Sequence, residues 1–124
     1  MKTNRSAEDG PQKEFFRDGT LSAAGTYRNG EKTGAWKYYF RNGKLKAAGK
    51  YANGELTGAW KWYREIGKPL QAGKFEKGKQ VGLWKRYLKN GQLYDAGHYT
   101  NGKRTGIWKV YGPGGVLVRT KKFG

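Results

Sequence analysis

The sequence predicts an all-β protein, namely a single elongated antiparallel β-meander built from 24-residue hairpin repeats. Tryptophan recurs at this step, at Trp36, Trp60, Trp84 and Trp108. Asn-Gly pairs, which are typical of tight turns between antiparallel strands, separate short runs of strand-forming residues. No window keeps apolar residues at the spacing of an amphipathic helix. We therefore expect each 24-residue step to contribute one hairpin.

Other residue types follow the same step, and partial units flank four full ones, as is typical of stacked repeat arrays. We assign residues 13–124 to the array. Residues 1–12, in which Gln12 takes the tryptophan position, are expected to form a mobile N-terminal arm. The further columns are Gly25, Gly49, Gly73 and Gly97; Gly34, Gly58, Gly82 and Gly106; Lys37, Lys61, Lys85 and Lys109; and Tyr39, Tyr63, Tyr87 and Tyr111.

The composition favours a shallow sheet that is packed by aromatic rings, and it disfavours a thick aliphatic core. The 124 residues include 21 Gly and 15% aromatic residues, and 26 Lys+Arg against 9 Asp+Glu give a formal net charge of +17. The absence of cysteine excludes disulfides and thiolate metal sites. No apolar run has the length of a membrane span, and residues 1–20 lack the apolar centre of a signal peptide. We therefore expect a soluble, cytoplasmic protein.

The turn signals predict which residues share a face. Asn42-Gly43 is predicted as a two-residue type I′ turn, which pairs Phe40 with Leu45 and Trp36 with Gly49. A four-residue turn at 53–56 then pairs Gly49 with Trp60. Each strand glycine would lie between two tryptophans whose rings cover the bare backbone. The predicted structural aromatic face comprises Trp36, Trp60, Trp84, Trp108, Gly49, Gly73 and Gly97.

The opposite face is predicted to be basic. It carries a lysine column, a second row in which His98 and Lys122 continue two lysines, and a tyrosine column. Such a face can simply guard a sheet against aggregation, since lysine is a usual residue for that purpose. The excess charge favours binding of an anionic partner, because solubility needs only a few net charges. The candidate binding residues are Lys37, Lys50, Lys61, Lys74, Lys85, Lys109, Tyr39, Tyr63, Tyr87 and Tyr111.

The recurring motif is carried by the segments 25–30 (GTYRNG), 34–39 (GAWKYY) and 42–45 (NGKL), and it recurs to about Gly115. It resembles the MORN repeat in its bacterial variant form, the YwqK-like repeat associated with toxin-antitoxin systems. The sequence departs from the pattern at Ile66, at Pro69 and at 112–115, so the third and last hairpins could differ in register. The resemblance implies a scaffold for protein contacts, with some arrays linked to anionic membranes.

No catalytic constellation is found in the sequence. The single histidine, His98, occupies a column otherwise filled by Thr26, Lys50 and Lys74, and the glycine-rich segment 112–115 lacks the lysine of a phosphate loop. We therefore expect no enzyme, no cofactor and no metal site.

Three kinds of partner remain open. The first is a protein, such as an acidic one, bound by an antitoxin, immunity or assembly module. The second is nucleic acid, bound without sequence preference by the Lys and Tyr columns. The third is an anionic lipid surface. Self-association through the aromatic face or the end strands is a further expectation.

Overall fold

The fold is one antiparallel sheet of ten strands in sequence order. The computed structural model describes residues 9–124. The strands are β1 (Gly10–Phe15), β2 (Leu21–Arg28), β3 (Glu31–Tyr39), β4 (Leu45–Ala52), β5 (Glu55–Tyr63), β6 (Pro69–Glu76), β7 (Lys79–Tyr87), β8 (Leu93–Thr100), β9 (Lys103–Tyr111) and β10 (Leu117–Phe123). A short 3-10 turn, Pro113–Gly115, precedes β10. The predicted all-β meander is confirmed.

The first strand begins at Gly10, three residues before the predicted start of the array at residue 13. Gly10 pairs with Tyr27 and Gln12 pairs with Gly25, so residues 10–12 belong to β1 and are part of the sheet. The expected mobile arm at 1–12 therefore overlaps a strand. Its remaining part, residues 1–8, lies outside the described residues.

The two turn types are exchanged relative to the prediction. At Asn53-Gly54 both residues have positive φ (51° and 81°) and Ala52 pairs with Glu55, so this is the two-residue type I′ turn. At Asn42-Gly43 only Gly43 has positive φ, at 88°, within a three-residue loop closed by Phe40. Within that loop the Asn42 Oδ1 accepts the Lys44 N–H at 2.9 Å.

The three-residue loop shifts the pairing of the two strands by one residue, and a bulge restores the predicted pairing further along the strands. The predicted pair Trp36–Gly49 is present, but the predicted pair Phe40–Leu45 is wrong, because the three-residue loop pairs Leu45 with Tyr39. The pairing then skips Lys46, so that Ala47 again faces Tyr38. A second irregularity follows each type I′ turn at a glycine with positive φ, a conformation that L side chains rarely adopt. These glycines are Gly34, Gly58, Gly82 and Gly106, with φ between 67° and 71°.

The departures from the repeat motif leave the register unchanged. The Arg64 N–H donates to the Lys68 carbonyl at 2.8 Å around Ile66, as the Phe40 N–H donates to Lys44 at 2.9 Å in the regular turn. In the last hairpin the Gly112 N–H donates to the Val116 carbonyl at 2.7 Å. Backbone hydrogen bonds therefore define this turn even where the usual asparagine is absent.

The buried layer is the face that carries the tryptophans, here called the ring face. Trp36 has no exposed surface, and Trp60, Trp84 and Trp108 are each 2% exposed. A Cβ on Gly49 would lie 2.0 Å from the Trp60 ring, so only glycine fits beneath it. The Trp60 indole N–H also donates to the Lys50 carbonyl at 3.0 Å. The predicted pair Trp36–Gly49 is therefore present. The predicted pair Gly49–Trp60 is wrong, because the register skips Gly49 at the bulge and the Trp60 ring covers it instead.

A second column of rings fills the space between tryptophans of neighbouring units. The ring centroids of Trp36 and Tyr38 are 6.1 Å apart, those of Tyr38 and Trp60 are 6.4 Å apart, and those of Trp60 and Trp62 are 5.7 Å apart. Such stacked and tilted ring pairs are favourable beyond the area that they bury. In the next unit the column continues with Arg86, which pairs with the buried Asp95. This ion pair, of which only the Asp95 carboxylate is buried, was not predicted from the sequence.

Candidate anion-binding face

One row of lysines crosses the face opposite the tryptophans. Each lysine of this row lies directly opposite a small residue on the neighbouring strands. Lys37 pairs with Ala24 and Ala48, and Lys61 pairs with Ala48 and Ala72. Successive lysines are two strands apart, which is about 9.6 Å. The lysine row, as we name it, comprises Lys13, Lys37, Lys61, Lys85 and Lys109. The face that carries it is the lysine face.

The ammonium groups of the lysine row are available to a partner. All five lysines are exposed, and no ion pair within residues 9–124 involves any of them. The alanines between them are too short to shield the lysine stems. Lys13 was missed by the sequence analysis, although it stands one repeat step before Lys37. The 24-residue step alone could have identified it.

A second row on the lysine face combines basic and apolar residues. Its cationic positions and His98 are exposed, and its apolar members become larger toward the C-terminus. Leu83 is 46% exposed and Ile107 is 51% exposed, and neither was identified from the sequence. The pairs in this row are Lys50–Ala35, Lys74–Ala59, His98–Leu83 and Lys122–Ile107.

The tyrosine column forms the third row, on the other side of the lysines. Its four rings are half-buried, and each pairs across the strands with an aliphatic residue or proline. The pairs are Tyr39–Leu45, Tyr63–Pro69, Tyr87–Leu93 and Tyr111–Leu117. Leu45 therefore belongs to this face and not to the ring face. All ten predicted binding residues lie on one face of the sheet, in three parallel rows.

The acidic residues of the described chain lie away from these rows. Glu14 accepts the Tyr27 hydroxyl at 3.0 Å, and Asp95 is buried against Arg86. Asp18 lies in a turn, where hydrogen bonds from Thr20 lower the pKa of its carboxyl. The others lie in turns or next to them, at Asp9, Glu31, Glu55, Glu65 and Glu76. The positive charge of the lysine face is therefore not neutralised locally.

Polar groups of the ring face, in contrast, bind one another. The Tyr38 and Tyr51 hydroxyls are 2.7 Å apart, and the Lys32 ammonium donates to Tyr38 at 2.9 Å while lying 4.8 Å from the centre of the Trp36 ring. Burial raises the pKa of both phenols. This cluster stabilises the fold and offers little to a ligand.

The described chain contains few features of other functional classes. His98 stands between Leu83 and Thr105 on the neighbouring strands, without a carboxylate beside it. Within residues 9–124 no group of three His, Cys, Asp or Glu residues could hold a metal ion. Over the same range, no helix is long and apolar enough to cross a membrane.

The single-layer sheet, its 24-residue hairpins and its two unlike faces define a β-repeat module. The sequence model of the MORN repeat variant matches residues 8–29, 32–54 and 80–101, which together exceed half of the chain. The chain therefore belongs to the MORN repeat variant family. This family is a non-enzymatic repeat module, and MORN repeats are generally associated with protein or membrane interaction.

Two further comparisons concern curated proteins and solved structures. No curated protein matches the sequence. Among solved structures, the chain is similar to one described as the crystal structure of a GtfA/B complex bound to UDP and GlcNAc, with 14% identity and a TM-score of 0.36. The match covers 94% of this chain, which spans 23% of the length of that one.

Proposed function

We propose that this protein is a non-enzymatic scaffold that binds an acidic protein partner through its lysine face. The observation that carries the proposal is the lysine row, in which exposed cations with no described ion pair stand about 9.6 Å apart. The YwqK-like resemblance makes an antitoxin or immunity module one form of this function, and an assembly module another. We place the interaction in the cytoplasm.

The composition of the face favours a protein over the other anionic partners. Protein interfaces combine charged contacts with apolar and aromatic ones. The exposed Leu83 and Ile107 lie beside the lysine row, and the half-buried tyrosines flank it on the other side. A partner that binds by charge alone, such as a phosphate backbone, makes no favourable contact with the exposed aliphatic side chains. A lattice of lysines without arginine forks also lacks the usual means of reading bases.

Footprinting of lysines tests which surface and which partner class are used. The full chain is treated with an amine-reactive label alone and with each of four probes: a peptide of glutamate and aspartate with interspersed leucine, a single-stranded oligonucleotide, a duplex, and phosphatidylserine vesicles. Mass spectrometry then reports the labelling of each lysine. We expect the acidic peptide to protect Lys37, Lys61, Lys85 and Lys109. The exposed Lys44, Lys89 and Lys121, which lie outside the three rows, serve as internal controls and should stay reactive.

The other outcomes are equally defined. Equal protection of row and control lysines would contradict the role of the lysine face. If an oligonucleotide protects the row at a salt concentration at which the peptide does not, the partner is nucleic acid, and log K should then fall linearly with log salt. Protection by vesicles alone would assign the face to anionic lipid.

A further inference from the structure

A groove on the lysine face lies over β2, between Lys13 of β1 and Lys37 of β3. Its volume is about 610 Å³, and Ala24, Thr26 and Ala35 contribute to its lining. Both lysines pair directly with Ala24, so their backbones are about 9.6 Å apart. The groove is therefore a hollow of small side chains with a lysine on either side.

Short side chains at two repeat positions create this groove. We number the units by their tryptophans, from Trp36 in the first to Trp108 in the fourth. Thr26 of the first unit stands where the later units carry Lys50, Lys74 or His98. Ala35 stands where the third and fourth units carry Leu83 and Ile107. In the second unit, the long Lys50 side chain occupies the position that Thr26 leaves open. The first unit thus differs from the others in shape while sharing their backbone pairing.

The chemistry of the groove favours an aromatic group between two anions. Phe15, which is 59% exposed and occupies the position of the tyrosine column, also lines it. An exposed phenyl ring beside an apolar floor favours contact with another ring. Lys13 and Lys37 are both exposed and make no described ion pair, so each can bind a carboxylate beside that ring. Hollows of this kind are typical of binding sites.

We propose that this groove is the anchor site for the acidic partner. It takes one aromatic side chain of the partner, and acidic residues on both sides of that side chain pair with Lys13 and Lys37. The inference rests on the proposed function and deepens it by naming the recognised feature, an aromatic residue within an acidic segment. Aromatic side chains in pockets commonly contribute most of the binding energy of an interface.

Two peptides of equal length and charge test the inference. Both are acidic, and they differ only in a central residue, which is Trp in one and Ala in the other. Isothermal titration calorimetry on the full chain should give an affinity about tenfold higher for the Trp peptide, since burial of a large apolar side chain is worth at least this factor.

Variants taken from the repeat itself locate the effect. Ala35→Leu introduces the residue that the third unit carries at this position and fills the groove without changing the charge. It should abolish the tenfold preference for the Trp peptide and leave the affinity for the Ala peptide unchanged. Ala59→Leu, the same change in the second unit, is the matched control and should retain the preference. If Ala35→Leu fails to fold, Thr26→Lys fills the groove instead, and the ratio of the two affinities is again the measurement.

The outcomes separate this inference from the proposed function. Equal affinity of the two peptides for the wild-type chain, or a preserved preference in a folded Ala35→Leu variant, would overturn the groove as anchor while the lysine face stays supported. If neither peptide binds even at low salt, both proposals fail together.

Discussion

At the scale of single residues, the contact of tryptophan with strand glycine recurs in every unit and buries the largest side chains of the sheet. The Trp60 ring lies on the bare backbone of Gly49, and its N–H donates to the neighbouring carbonyl of Lys50. The contact joins the two strands of one hairpin, β4 and β5, while Gly49 also pairs with Trp36 of the preceding hairpin. A single sheet without a second layer can therefore bury large side chains.

The first prediction compares two residues of opposite faces. Trp60→Ala should lower the free energy of unfolding by about 3–5 kcal/mol, because it removes a buried ring that packs on both neighbouring units. His98→Ala, at an exposed position, should change it by less than about 0.5 kcal/mol. Urea unfolding followed by circular dichroism measures both. Equal losses would show that the assignment of the faces is wrong.

The second prediction concerns alkaline pH. Burial raises the pKa of Tyr51 in the folded chain above the value of about 10 for an unfolded chain. The stabilisation by its neutral hydroxyl is therefore fully present below about pH 10 and is lost as pH rises toward the folded-state pKa. At about pH 8, Tyr51→Phe should be less stable than the wild type by roughly 1 kcal/mol, because it loses the hydrogen bond to Tyr38.

Unfolding experiments at increasing pH give the decisive comparison for Tyr51. The difference in unfolding free energy between Tyr51→Phe and the wild type should shrink as pH rises above about 10, because only the wild type retains the phenol that ionises on unfolding. A difference that stays constant between about pH 8 and pH 11 would contradict the role of burial.

At the scale of elements, the sequence predicted the hairpins but exchanged their turn types. The dipeptide Asn-Gly occurs in both turns, so the dipeptide alone could not distinguish them. One contact that distinguishes them lies outside the turn: the Gly54 N–H donates to the Lys32 carbonyl of the preceding hairpin at 3.1 Å. The pair Trp36–Gly49 was nevertheless predicted correctly, because the extra residue of the bulge at Lys46 offsets the longer loop.

The candidate site was predictable to a similar extent. The 24-residue step placed the lysine and tyrosine columns on one face, since side chains alternate along a strand whatever the turn type. The groove beside Lys13 could not be predicted, because it depends on how the short side chains of Thr26 and Ala35 combine across strands. The repeat pattern predicts the features that all units share, whereas this groove arises from a difference between the first unit and the later ones.

The third prediction uses the irregular type I′ turn. Lys77 adopts a φ of 50° at the position that Asn29, Asn53 and Asn101 occupy in the other units. A left-handed conformation is costly for lysine and much less so for asparagine. Lys77→Asn should therefore raise the free energy of unfolding by about 0.5–1 kcal/mol.

Lys89→Asn is the matched control for this turn. Lys89 is an exposed turn residue with the same charge, and it is not among the residues with positive φ. Its substitution should leave the unfolding free energy within about 0.5 kcal/mol of the wild type. A Lys77→Asn variant no more stable than this control would show that the turn conformation contributes nothing to stability.

At the scale of the whole molecule, the two faces divide stability and binding. The ring face buries the tryptophans, and the lysine face exposes cations that make no described core contact. The two edge strands carry residues that discourage further strand pairing, namely Pro11 on β1 and Arg119, Lys121 and Lys122 on β10. Self-association through the ring face or these edges stays a prediction that sedimentation can test.

The most direct measurement compares two charge-matched variants in binding to the acidic peptide. One replaces Lys37, Lys61, Lys85 and Lys109 by Gln, and the other replaces Arg17, Lys44, Lys89 and Lys121, which are also exposed. Both lose the same charge, and both should unfold at the wild-type urea concentration. The row variant should bind about ten- to hundredfold more weakly, because each lysine contributes a few tenths to about 1 kcal/mol. The control should lose much less affinity. Equal losses would mean that net charge, and not the lysine row, governs binding.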